Sequence, residues 1–464
     1  MKIKIKEIET KLTSFQLFEI FKNDEYVFFL DSGMDHDKLG RYSFISSNPL
    51  LVFKSKGNEI KITKKDQENI FFENPFEKLK EILKKYTLSY KTPFPFIGGV
   101  VGYFGYDMYH HLENINTTAI DDMNIPDCVL GVYDGVIIVD HLENKVFIAA
   151  LGMEEDCDKV LDTINNRINI NTDKIMKETQ SIIDKGLTEE IYLQSNLNKK
   201  DYITCLKKVK NYIEEGDVYQ VNLTQRFQCH INETSFDIYK RLRKINPAPF
   251  ASYFDFKEGQ IVSSSPERFI KIQDKVIETR PIKGTIPRGK TQEEDNKNKE
   301  ILLNSEKDKA ELLMIVDLER NDLGKICKTG TVKVTELFHL EKYATVYHLV
   351  STIKGEIKDE YDVVDCLKAT FPGGSITGAP KIRAMEIIDE IEPNTRNIYT
   401  GSIGYIGFNG DVDLNIVIRT IVCKGNKASF GVGGGIVWDS DSELEYEESL
   451  HKAKALIKTL NGGE

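Results

Sequence analysis

Three charged side chains near the C-terminus have a spacing that could create a metal site. Glu445, Glu448 and Lys452 are three and four positions apart in a stretch with helical periodicity, so they share one face of the predicted helix. Carboxylates of this kind hold Mg²⁺ while waters and a substrate oxygen complete its octahedral shell. Glu311, in a separate helical segment, could supply a further carboxylate. A solvated helix face with an internal ion pair is the alternative interpretation.

Lys283 lies in the segment R-P-I-K-G-T-I-P-R-G-K-T, whose last eight residues match the phosphate-loop pattern G-x-x-x-x-G-K-[ST]. A phosphate loop needs backbone N–H groups that face the phosphates and a helix that packs on the sheet. Pro287 removes one of those donors, and the following T-Q-E-E-D-N-K-N-K-E has no apolar stripe, so we expect a proline-containing loop. The apolar run at residues 312–317 resembles the strand that accompanies phosphate loops, and a buried helix ending near N-D-L-G is its alternative explanation.

A second group of residues has the chemistry to bind an anion. The stretch F-P-G-G-S-I-T-G-A-P-K places small residues before a helix that starts at a proline, and the N–H groups at such a terminus attract negative charge. Arg419, in an otherwise apolar strand pattern, and the glycines Gly433, Gly434 and Gly435 add a guanidinium and accessible N–H groups that suit a carboxylate. Taken singly, a charge at a hairpin edge or a β-bulge explains each feature.

The elements that must position these residues are predicted from the periodicity of apolar residues. Helices are predicted around Glu311 and at residues 202–213, 380–392 and 442–460. Strands are predicted where apolar and polar residues alternate between turns, at residues 136–150, 269–281, 401–408, 412–422 and 428–438. Sequential hairpins with interspersed helices predict an α+β protein with large antiparallel sheets flanked by helices.

The length of 464 residues predicts two or three domains or one large composite. We predict a first part at residues 1–153, a polar linker or surface helices at residues 154–199, and a second part at residues 200–464. With 62 Lys and Arg against 73 Asp and Glu, the net charge of −11 argues against nucleic-acid or anionic-membrane binding and favours work on a small molecule.

The sequence also carries expectations about compartment and thiols. The chain start lacks the apolar centre of a signal peptide, and no apolar run approaches the roughly 18 residues of a membrane span, which predicts a cytoplasmic protein. The seven cysteines are scattered, with no C-x-x-C pair and no glycine-flanked elbow. We therefore expect reduced, mostly structural thiols and no glutaminase nucleophile in this chain.

Longer segments of the sequence resemble the chorismate-utilising enzymes. The similar segments are S-P-E-R-F, P-I-K-G-T, L-E-R-N-D-L-G, V-Y-H-L-V-S-T, F-P-G-G-S-I-T-G-A-P-K-I-R-A-M-E-I-I and a terminal E-x-x-x-K-A, with R-Y-S and G-G-V-V-G-Y in the first part. Their order and spacing agree over nearly the whole chain. The resemblance implies that family's fold and a reaction on chorismate, which carries two carboxylates, an enolpyruvyl ether and a hydroxyl on carbon 4.

Within this family the motifs most resemble component I of aminodeoxychorismate synthase and component I of anthranilate synthase. Lys283 favours the first, because anthranilate synthases typically have alanine in P-I-A-G-T where the aminodeoxychorismate enzymes have a lysine nucleophile. F-P-G-G-S-I-T-G-A-P and Q-V-N-L-T-Q point the same way. Gln220 stands where isochorismate and salicylate synthases have a lysine base, which argues against activation of water. Ile286 replaces an arginine that is usual in the family, a change that we expect to affect only a peripheral contact.

The resemblance also implies roles for individual residues. Glu267 would be the proton donor and Lys283 the nucleophile, with His348 and Ser375 beside the reacting ring. Mg²⁺ would be held by Glu311 and Glu448, with Glu445 alongside. Substrate would be bound by Thr285, Tyr399, Arg419, Gly433, Gly434, Gly435 and Lys452. A tryptophan pocket would be formed by Ser32, Leu39, Gly40, Arg41, Tyr42, Pro249, Phe250 and Ala251.

Ammonia would come from a separate glutamine amidotransferase subunit, because this chain has no visible glutaminase cysteine. Three other functions remain as alternatives to an aminodeoxychorismate synthase component I. They are an anthranilate synthase component I, a non-catalytic tryptophan-binding regulator, and a phosphate-loop nucleotide hydrolase.

Overall fold

The computed structural model describes residues 3–35, 38–65, 67–181, 191–343 and 346–463. Within those ranges none of the helices combines the length and apolar character that a membrane crossing requires.

The strands of the described residues are numbered in chain order. They are β1 Lys4–Ile8, β2 Phe28–Asp31, β3 Tyr42–Ser46, β4 Leu51–Lys56, β5 Glu59–Lys64, β6 Gln67–Phe72, β7 Gly99–Phe104, β8 Cys128–Tyr133, β9 Gly135–Asp140, β10 Lys145–Ala150, β11 Gln194–Ser195, β12 Gln220–His230, β13 Phe250–Asp255, β14 Gln260–Ser265, β15 Arg268–Gln273, β16 Val276–Arg280, β17 Ile282–Pro287, β18 Lys333–Lys342, β19 Val346–Glu356, β20 Gly378–Ala379, β21 Ser402–Gly407, β22 Val412–Asn415, β23 Thr420–Lys424 and β24 Lys427–Ile436.

The helices of the described residues are numbered in the same way. They are α1 Ser14–Phe21, α2 Pro75–Tyr86, α3 Cys157–Ser181, α4 Lys199–Glu214, α5 Ser235–Ile245, α6 Gln292–Leu303, α7 Glu306–Ile326, α8 Val363–Thr370, α9 Lys381–Ile391 and α10 Ser442–Leu460, with 3-10 turns at Tyr106–His111 and Gly374–Ile376.

In the described part of the chain the strands form two large antiparallel sheets. The first has the order β1-β10-β9-β3-β2-β13-β14-β23-β24-β12-β11, with β20 also paired to β12. The second has the order β17-β19-β16-β15-β22-β21-β7-β8-β4-β5-β6, with β18 also paired to β19. The predicted α+β class is confirmed. Both sheets contain strands from before residue 153 and after residue 200, so the predicted parts share one β framework, and their division stays a prediction.

The apolar core has two main layers. One layer lies between the sheets and includes Phe44, Phe96 and Tyr405, whose rings are in contact at centroid distances of 4.6–5.7 Å. The other layer lies between the first sheet and helices that include α1, α5 and α10, with Phe18 and Leu456 fully buried there. Burying one such side chain contributes about 1.5–3 kcal/mol to folding. These two layers hold the first sheet between them and so fix β24, the strand of that sheet that borders the site.

Helix α10 illustrates how the sequence sets the position of the site. Asp441 caps its first turn by accepting hydrogen bonds from two backbone N–H groups. Ala453, Leu456 and Leu460 then recur with helical spacing on the buried face. Glu445 lies on the same buried face two turns before Ala453, so the packing of the apolar end holds a carboxylate against the sheet.

Most predicted elements are confirmed, with two differences. The predicted helices correspond to α4, α7, α9 and α10, and the predicted hairpins to β9–β10 and β15–β16. The strand predicted at residues 412–422 is interrupted, because Arg419 has a φ of 54°. The loop predicted after Lys283 is wrong in part, since β17 continues to Pro287 and α6 begins at Gln292. Of the predicted linker, residues 182–190 lie outside the described residues and residues 157–181 are helical.

Candidate active site

Lys283 lies on β17 next to a β-bulge at Gly284. The register against β19 shifts between Lys283 and Thr285, and Gly284 has a φ of 74°, a conformation that glycine adopts without strain. A methyl carbon placed on Gly435 would lie 3.3 Å from the Lys283 Nζ and 2.7 Å from the Gln220 Nε2. The bulge therefore directs the lysine toward β24 of the other sheet, where the absence of a side chain on Gly435 leaves it room.

The charge state of Lys283 is governed by its surroundings. Burial lowers the pKa of its ammonium group, and the nearby Lys452 acts in the same direction, while Glu311 and Glu267 oppose the shift. Among the described residues no carboxylate is within 4.0 Å of Nζ in an ion pair. The Lys283 ammonium therefore loses its proton more readily here than a lysine in water does.

Glu267 is the buried acid of the site. It lies just before β15 and is 4% exposed. Burial raises the pKa of its carboxyl group, although a hydrogen bond with Ser375 and the charge of Lys283 oppose the shift. The backbone N–H of Ile282 donates to Oε1 at 3.4 Å. A carboxyl group in this environment keeps a proton more readily than an exposed glutamate does.

His348 is held as a neutral imidazole. It lies on β19 opposite Thr285, and its Nδ1 is 2.9 Å from the Thr285 hydroxyl oxygen. Burial and the charge of Arg419 lower the pKa of the imidazole to about 3. The ring also packs edge-on against Tyr343 at a centroid distance of 4.9 Å. Its fixed orientation and neutral state suit a hydrogen-bonding role.

Arg419 and Tyr399 lie together at the part of the site that the sequence predicts to bind an anion. Arg419 lies in the connection between β22 and β23, and its left-handed φ of 54° is an uncommon conformation for a non-glycine residue. Burial lowers the pKa of its guanidinium, which is near Tyr399 and Glu267. Burial raises the pKa of the Tyr399 hydroxyl to about 12, so the phenol stays a hydrogen-bond donor. Among the described residues the Arg419 guanidinium has no ion-pair partner within 4.0 Å, which leaves its donors for an anion.

Helix α10 brings its charged face to the glycines of β24. A methyl carbon on Gly434 would lie 3.4 Å from the Glu445 Oε2, 3.5 Å from the Lys452 Nζ and 3.8 Å from the Glu448 Oε1. The Lys452 ammonium donates to the Gly433 carbonyl at 3.0 Å and pairs with Glu448 at 2.7 Å. Burial opposes ionisation of Glu448, but Lys452 outweighs it and lowers the pKa of that carboxyl. The helix face predicted from the spacing thus borders the predicted anion site.

A cation already lies between two of the predicted metal ligands. The Lys307 Nζ is 3.9 Å from the Glu311 Oε1 on the same helix and 3.6 Å from the Glu445 Oε1 on α10. Burial raises the pKa of the Glu311 carboxyl, and the charges of Asp308 and Glu445 add to the shift while Lys283 and Lys307 oppose it. Oxygen donors that share an ammonium in this way have the chemistry to hold Mg²⁺. In the described ranges no three His, Cys, Asp or Glu side chains are gathered closely enough to form a metal site.

The predicted tryptophan pocket corresponds to a separate cavity of about 280 Å³ that is lined by strands of both sheets. Of the eight predicted residues, seven line it: Ser32, Leu39, Arg41, Tyr42, Pro249, Phe250 and Ala251. Gly40 is not among the lining residues, and a methyl carbon there would lie 2.0 Å from the Met34 carbonyl oxygen. Gly40 therefore shapes the loop without forming the wall.

The sequence did not reveal the floor of this cavity. Arg268 pairs with Asp413 through two hydrogen bonds of 2.9 Å and with Glu278 through a third of 2.9 Å, beneath the ring of Phe250. Tyr405 lines the same cavity from β21. Lys307 was also not identified from the sequence as part of the site. The only signal for it was its position one turn before Glu311, which gives no indication of its contact with Glu445.

The structure provides no nucleotide cradle after Lys283. The backbone N–H of Gly289 donates to the Asp295 carboxylate at 2.9 Å, and that of Lys290 donates to Glu294 at 2.8 Å. Arg288 also binds Asp295, at 2.6 Å. The donors that a phosphate would need are therefore occupied by carboxylates of α6, and Lys290 is exposed. Residues 312–317 belong to α7 and not to a strand.

The fold and the site together indicate an enzyme class, with a buried acid, a lysine of lowered pKa and an arginine near that acid. Comparison with known proteins identifies that class. The sequence profile of the family described as chorismate binding enzyme matches residues 26–458. The chain belongs to this family, as its resemblance predicted, and it is a chorismate-utilising enzyme.

Individual relatives divide between two names. Anthranilate synthase component 1 of Acetivibrio thermocellus is 40% identical over 457 residues, covering 97% of this chain and 92% of that protein. Aminodeoxychorismate synthase component 1 of Escherichia coli (strain K12) is 38% identical over 436 residues, covering 93% and 92%. The crystal structure of anthranilate synthase component I from Streptococcus pneumoniae TIGR4 superposes with a TM-score of 0.78 at 31% identity, covering 90% and 92%. Overall identity therefore does not separate the two activities.

Proposed function

We propose that the protein is component I of an aminodeoxychorismate synthase, which converts chorismate and ammonia to 4-amino-4-deoxychorismate. The observation that carries the proposal is Lys283, whose amine lies beside Gly435 and Gln220 with a lowered pKa. A nucleophilic amine at this place supports a covalent route, in which the lysine activates the ring before ammonia arrives.

Glu267 supplies the proton for the first step. Hydroxide is a poor leaving group, so the hydroxyl on carbon 4 of chorismate has to be protonated as its bond breaks. The raised pKa of Glu267 favours its acid form, and the hydrogen bond with Ser375 orients the carboxyl group. The hydroxyl leaves as water, and Glu267 becomes a carboxylate next to the lysine.

Lys283 forms the bond that replaces the hydroxyl. Its neutral Nζ attacks carbon 2 as the electron pairs of the two conjugated ring double bonds shift toward carbon 4 and the carbon 4 hydroxyl departs as water. From a reference pKa of about 10.4, deprotonating a lysine at pH 7 costs roughly 4–5 kcal/mol, and the burial of Lys283 reduces that cost. Ammonia then adds at carbon 4, and the lysine amine leaves carbon 2 with its electron pair.

The remaining residues hold the substrate. The Lys452 ammonium lies beside Gly433 and Gly434 and suits a carboxylate of chorismate. We assign Arg419 and the glycines Gly433, Gly434 and Gly435 to the same role. Glu311 and Glu448 would hold Mg²⁺, with Glu445 alongside, and the ion supplies charge neutralisation for the ring carboxylate. Tyr399, Thr285 and the neutral His348 add hydrogen-bonding groups around the ring.

Ammonia would be delivered by a partner protein. The relatives named component 1 imply a second component, and we propose that it is a glutamine amidotransferase. Six of the seven cysteines are buried, which agrees with a structural role for these thiols. Free ammonium at high concentration would replace the partner at a lower rate.

Identification of the product tests the proposal. The purified chain is incubated with chorismate, Mg²⁺ and ammonium, with and without a glutaminase subunit, and the product is analysed by chromatography and mass spectrometry. Aminodeoxychorismate is the expected product, and anthranilate would overturn the assignment. Without ammonia, we expect an adduct on the Lys283 peptide that Lys283→Ala eliminates.

Lys290→Ala is the matched control for that experiment, because it removes an exposed lysine of the same segment. It is expected to keep both the adduct and the product. Residual ammonia-dependent chemistry in Lys283→Ala should shift toward amination at carbon 2, where the truncated side chain leaves space. Loss of activity in Lys290→Ala together with full synthesis in Lys283→Ala would contradict the mechanism.

Anthranilate synthase component I is the second candidate function. It is favoured by the relative from Acetivibrio thermocellus, which is 40% identical over 97% of the chain. Anthranilate synthesis requires ammonia at carbon 2, where Lys283 would stand in its way. The fluorescence of anthranilate separates the two candidates in the same assay.

We also propose that the separate cavity found at the predicted tryptophan pocket binds tryptophan. Its volume of about 280 Å³ and its aromatic wall, which includes Tyr42 and Phe250, suit an amino acid with a large ring. Ser32 supplies a hydroxyl at the wall, whose proton is donated to the Tyr42 carbonyl at 2.6 Å, so its oxygen can accept from an ammonium group. The ligand could regulate the enzyme or only support its structure.

A further inference from the structure

We infer that Lys307 is an internal counter-ion of the metal-binding carboxylates, which holds Glu311 and Glu445 in the metal-free enzyme and is displaced when Mg²⁺ binds. The inference rests on the magnesium of the proposed function. It adds a positioning residue that neither the sequence motifs nor the predicted ligand set contains.

The geometry places Lys307 between the two helices that carry the carboxylates. Lys307 lies in the first turn of α7, one turn before Glu311, and its Nζ is 3.9 Å from the Glu311 Oε1. The same atom is 3.6 Å from the Glu445 Oε1 on α10. Among the described residues this is the one ion pair that joins α7 to α10. Lys307 therefore connects the two halves of the predicted metal site.

The charges explain why a cation is required there. The side chain of Glu445 is 5% exposed and that of Glu311 is 16% exposed, so neither carboxylate is well hydrated. Two buried carboxylates that face the same space repel each other, and a shared ammonium offsets the repulsion. Glu445 is held further by the Ser440 hydroxyl, which donates to Oε1 at 2.7 Å. The lysine thus maintains the spacing of the carboxylates before a metal arrives.

The exposure of the lysine explains how it can be displaced. Its side chain is 53% exposed, so the ammonium can move into water by rotation of its flexible stem. Mg²⁺ requires direct oxygen contacts at about 2.0–2.1 Å, and an ammonium beside those oxygens opposes its entry through repulsion. Each binding event therefore includes the release of Lys307, and the lysine makes the metal affinity lower than the carboxylates alone would give.

Calorimetric titration of Mg²⁺ into the chorismate-free protein tests this inference. Lys307→Met is expected to bind Mg²⁺ at least about threefold more tightly than wild type, because the competing charge is gone. In chelator its thermal midpoint should fall, and Mg²⁺ should restore it by a larger shift than in wild type. Lys307→Gln is measured in parallel, so that the result does not depend on the folding of one variant.

Two variants serve as controls. Lys307→Arg keeps the charge and is expected to match wild type. Lys309→Met removes a lysine of the same turn that pairs with Glu306, at 3.3 Å, and is also expected to match wild type. The inference is overturned if the neutral variants at Lys307 bind Mg²⁺ no more tightly than wild type, including the case in which none of them binds it. An equal gain in Lys309→Met would overturn it as well, since the effect would then be one of net charge. None of these measurements depends on whether the product is aminodeoxychorismate or anthranilate.

Discussion

Two regions of the molecule bury ionisable side chains in opposite ways. In the floor of the cavity at the predicted tryptophan pocket, Arg268 is bound by Asp413 and Glu278 at 2.9 Å. Burial alone would lower the pKa of the Arg268 guanidinium, but these two carboxylates raise it. Burial would likewise raise the pKa of Glu278, and Arg268 lowers it. Each of these groups is therefore held in its charged form.

In the candidate active site the pKa shifts favour the neutral forms of the side chains instead. Burial raises the pKa of the Glu267 carboxyl and lowers that of the Lys283 ammonium, and it lowers the pKa of His348 to about 3. Among the described residues none of the three makes an ion pair within 4.0 Å. Glu448 is an exception, since Lys452 pairs with it and lowers its pKa. Paired charges give a rigid floor for a ligand, whereas buried groups without an ion pair favour their neutral forms, which suit proton transfer or attack on a substrate.

The largest expected effect is a loss of turnover, which tests the candidate active site in this comparison. Glu267→Gln keeps the shape of the buried side chain but cannot protonate the leaving hydroxyl. We expect turnover to fall by about 10²–10⁴-fold, because a positioned general acid contributes that much to the rate. Steady-state kinetics with ammonium as the nitrogen source measure the loss. Thermal unfolding of the same variant should show no loss of stability, and a destabilised variant with intact turnover would contradict the assignment.

The next effect is on stability, and it tests the ion pairs in the floor of the cavity. Asp413→Asn leaves the buried Arg268 guanidinium without its bidentate partner, and we expect unfolding free energy to fall by about 3 kcal/mol. Denaturant unfolding at pH 7 measures the change. Asp359→Asn is the control, because the pair of Asp359 with Lys275 is exposed on both sides and its loss should be undetectable. Equal effects of the two substitutions would show that burial does not distinguish these pairs.

A third prediction concerns pH and uses Glu319, a buried residue of α7 behind Glu267. Burial raises the pKa of Glu319 to about 8, and the Thr279 hydroxyl is 2.8 Å from its Oε2. Between about pH 4.3, the unfolded value, and pH 8 the folded protein keeps a proton that the unfolded chain releases, so stability falls as pH rises. Glu319→Gln should remove this dependence. If the two proteins are equally stable near pH 4.5, we expect the variant to be about 4–5 kcal/mol more stable than wild type at pH 8.

Glu278→Gln is the contrasting control in the same pH series. Because the pKa of Glu278 is lowered in the folded protein, its contribution is present above the unfolded value and is lost as pH falls through the folded value. This variant should be less stable than wild type at pH 8, and the difference should shrink on acidification. If the stability differences of the two variants from wild type changed with pH in the same direction, the distinction between the two regions would be lost.

The smallest expected effect is on ligand binding in the cavity. Ser32→Ala removes the hydroxyl at the wall, and we expect the dissociation constant for tryptophan to rise by about 3–10-fold, as for one lost hydrogen bond. Calorimetry is performed on protein that has been denatured and refolded to remove any carried ligand. Ser47→Ala, whose hydroxyl binds Asp24 at 2.6 Å away from the cavity lining, should leave binding unchanged. No heat and no thermal shift with wild type would remove the proposal of a tryptophan site.

Parts of the site follow from sequence alone because they depend on local periodicity. Glu445, Glu448 and Lys452 share a face in any helix, so their common position was predictable from spacing. The hairpin of β15 and β16 was predictable from alternation and a short turn, and the family from the motifs, which the comparison with known proteins confirms. The roles assigned to individual site residues stay predictions.

Helix α6 shows why other parts were not predictable. Its sequence has no apolar stripe, and only Asp295 and Leu302 are buried. The helix depends on its cap at Thr291 and on Asp295, which accepts from Arg288, Tyr347 and a backbone N–H. A polar residue that is buried by its tertiary partners looks exposed in a hydropathy pattern, so the segment was expected to be a loop.

The sequence by itself determined which chemical groups this protein has and which of them share a helix face or a strand. Only the tertiary structure decided that the bulge at Gly284 turns Lys283 toward Gly435, that Arg268 has ion-pair partners and Glu267 has none, and that Lys307 reaches Glu445. The physical reason is that pKa values and ion pairs depend on distances between segments more than a hundred residues apart, which register and packing set and local patterns do not encode.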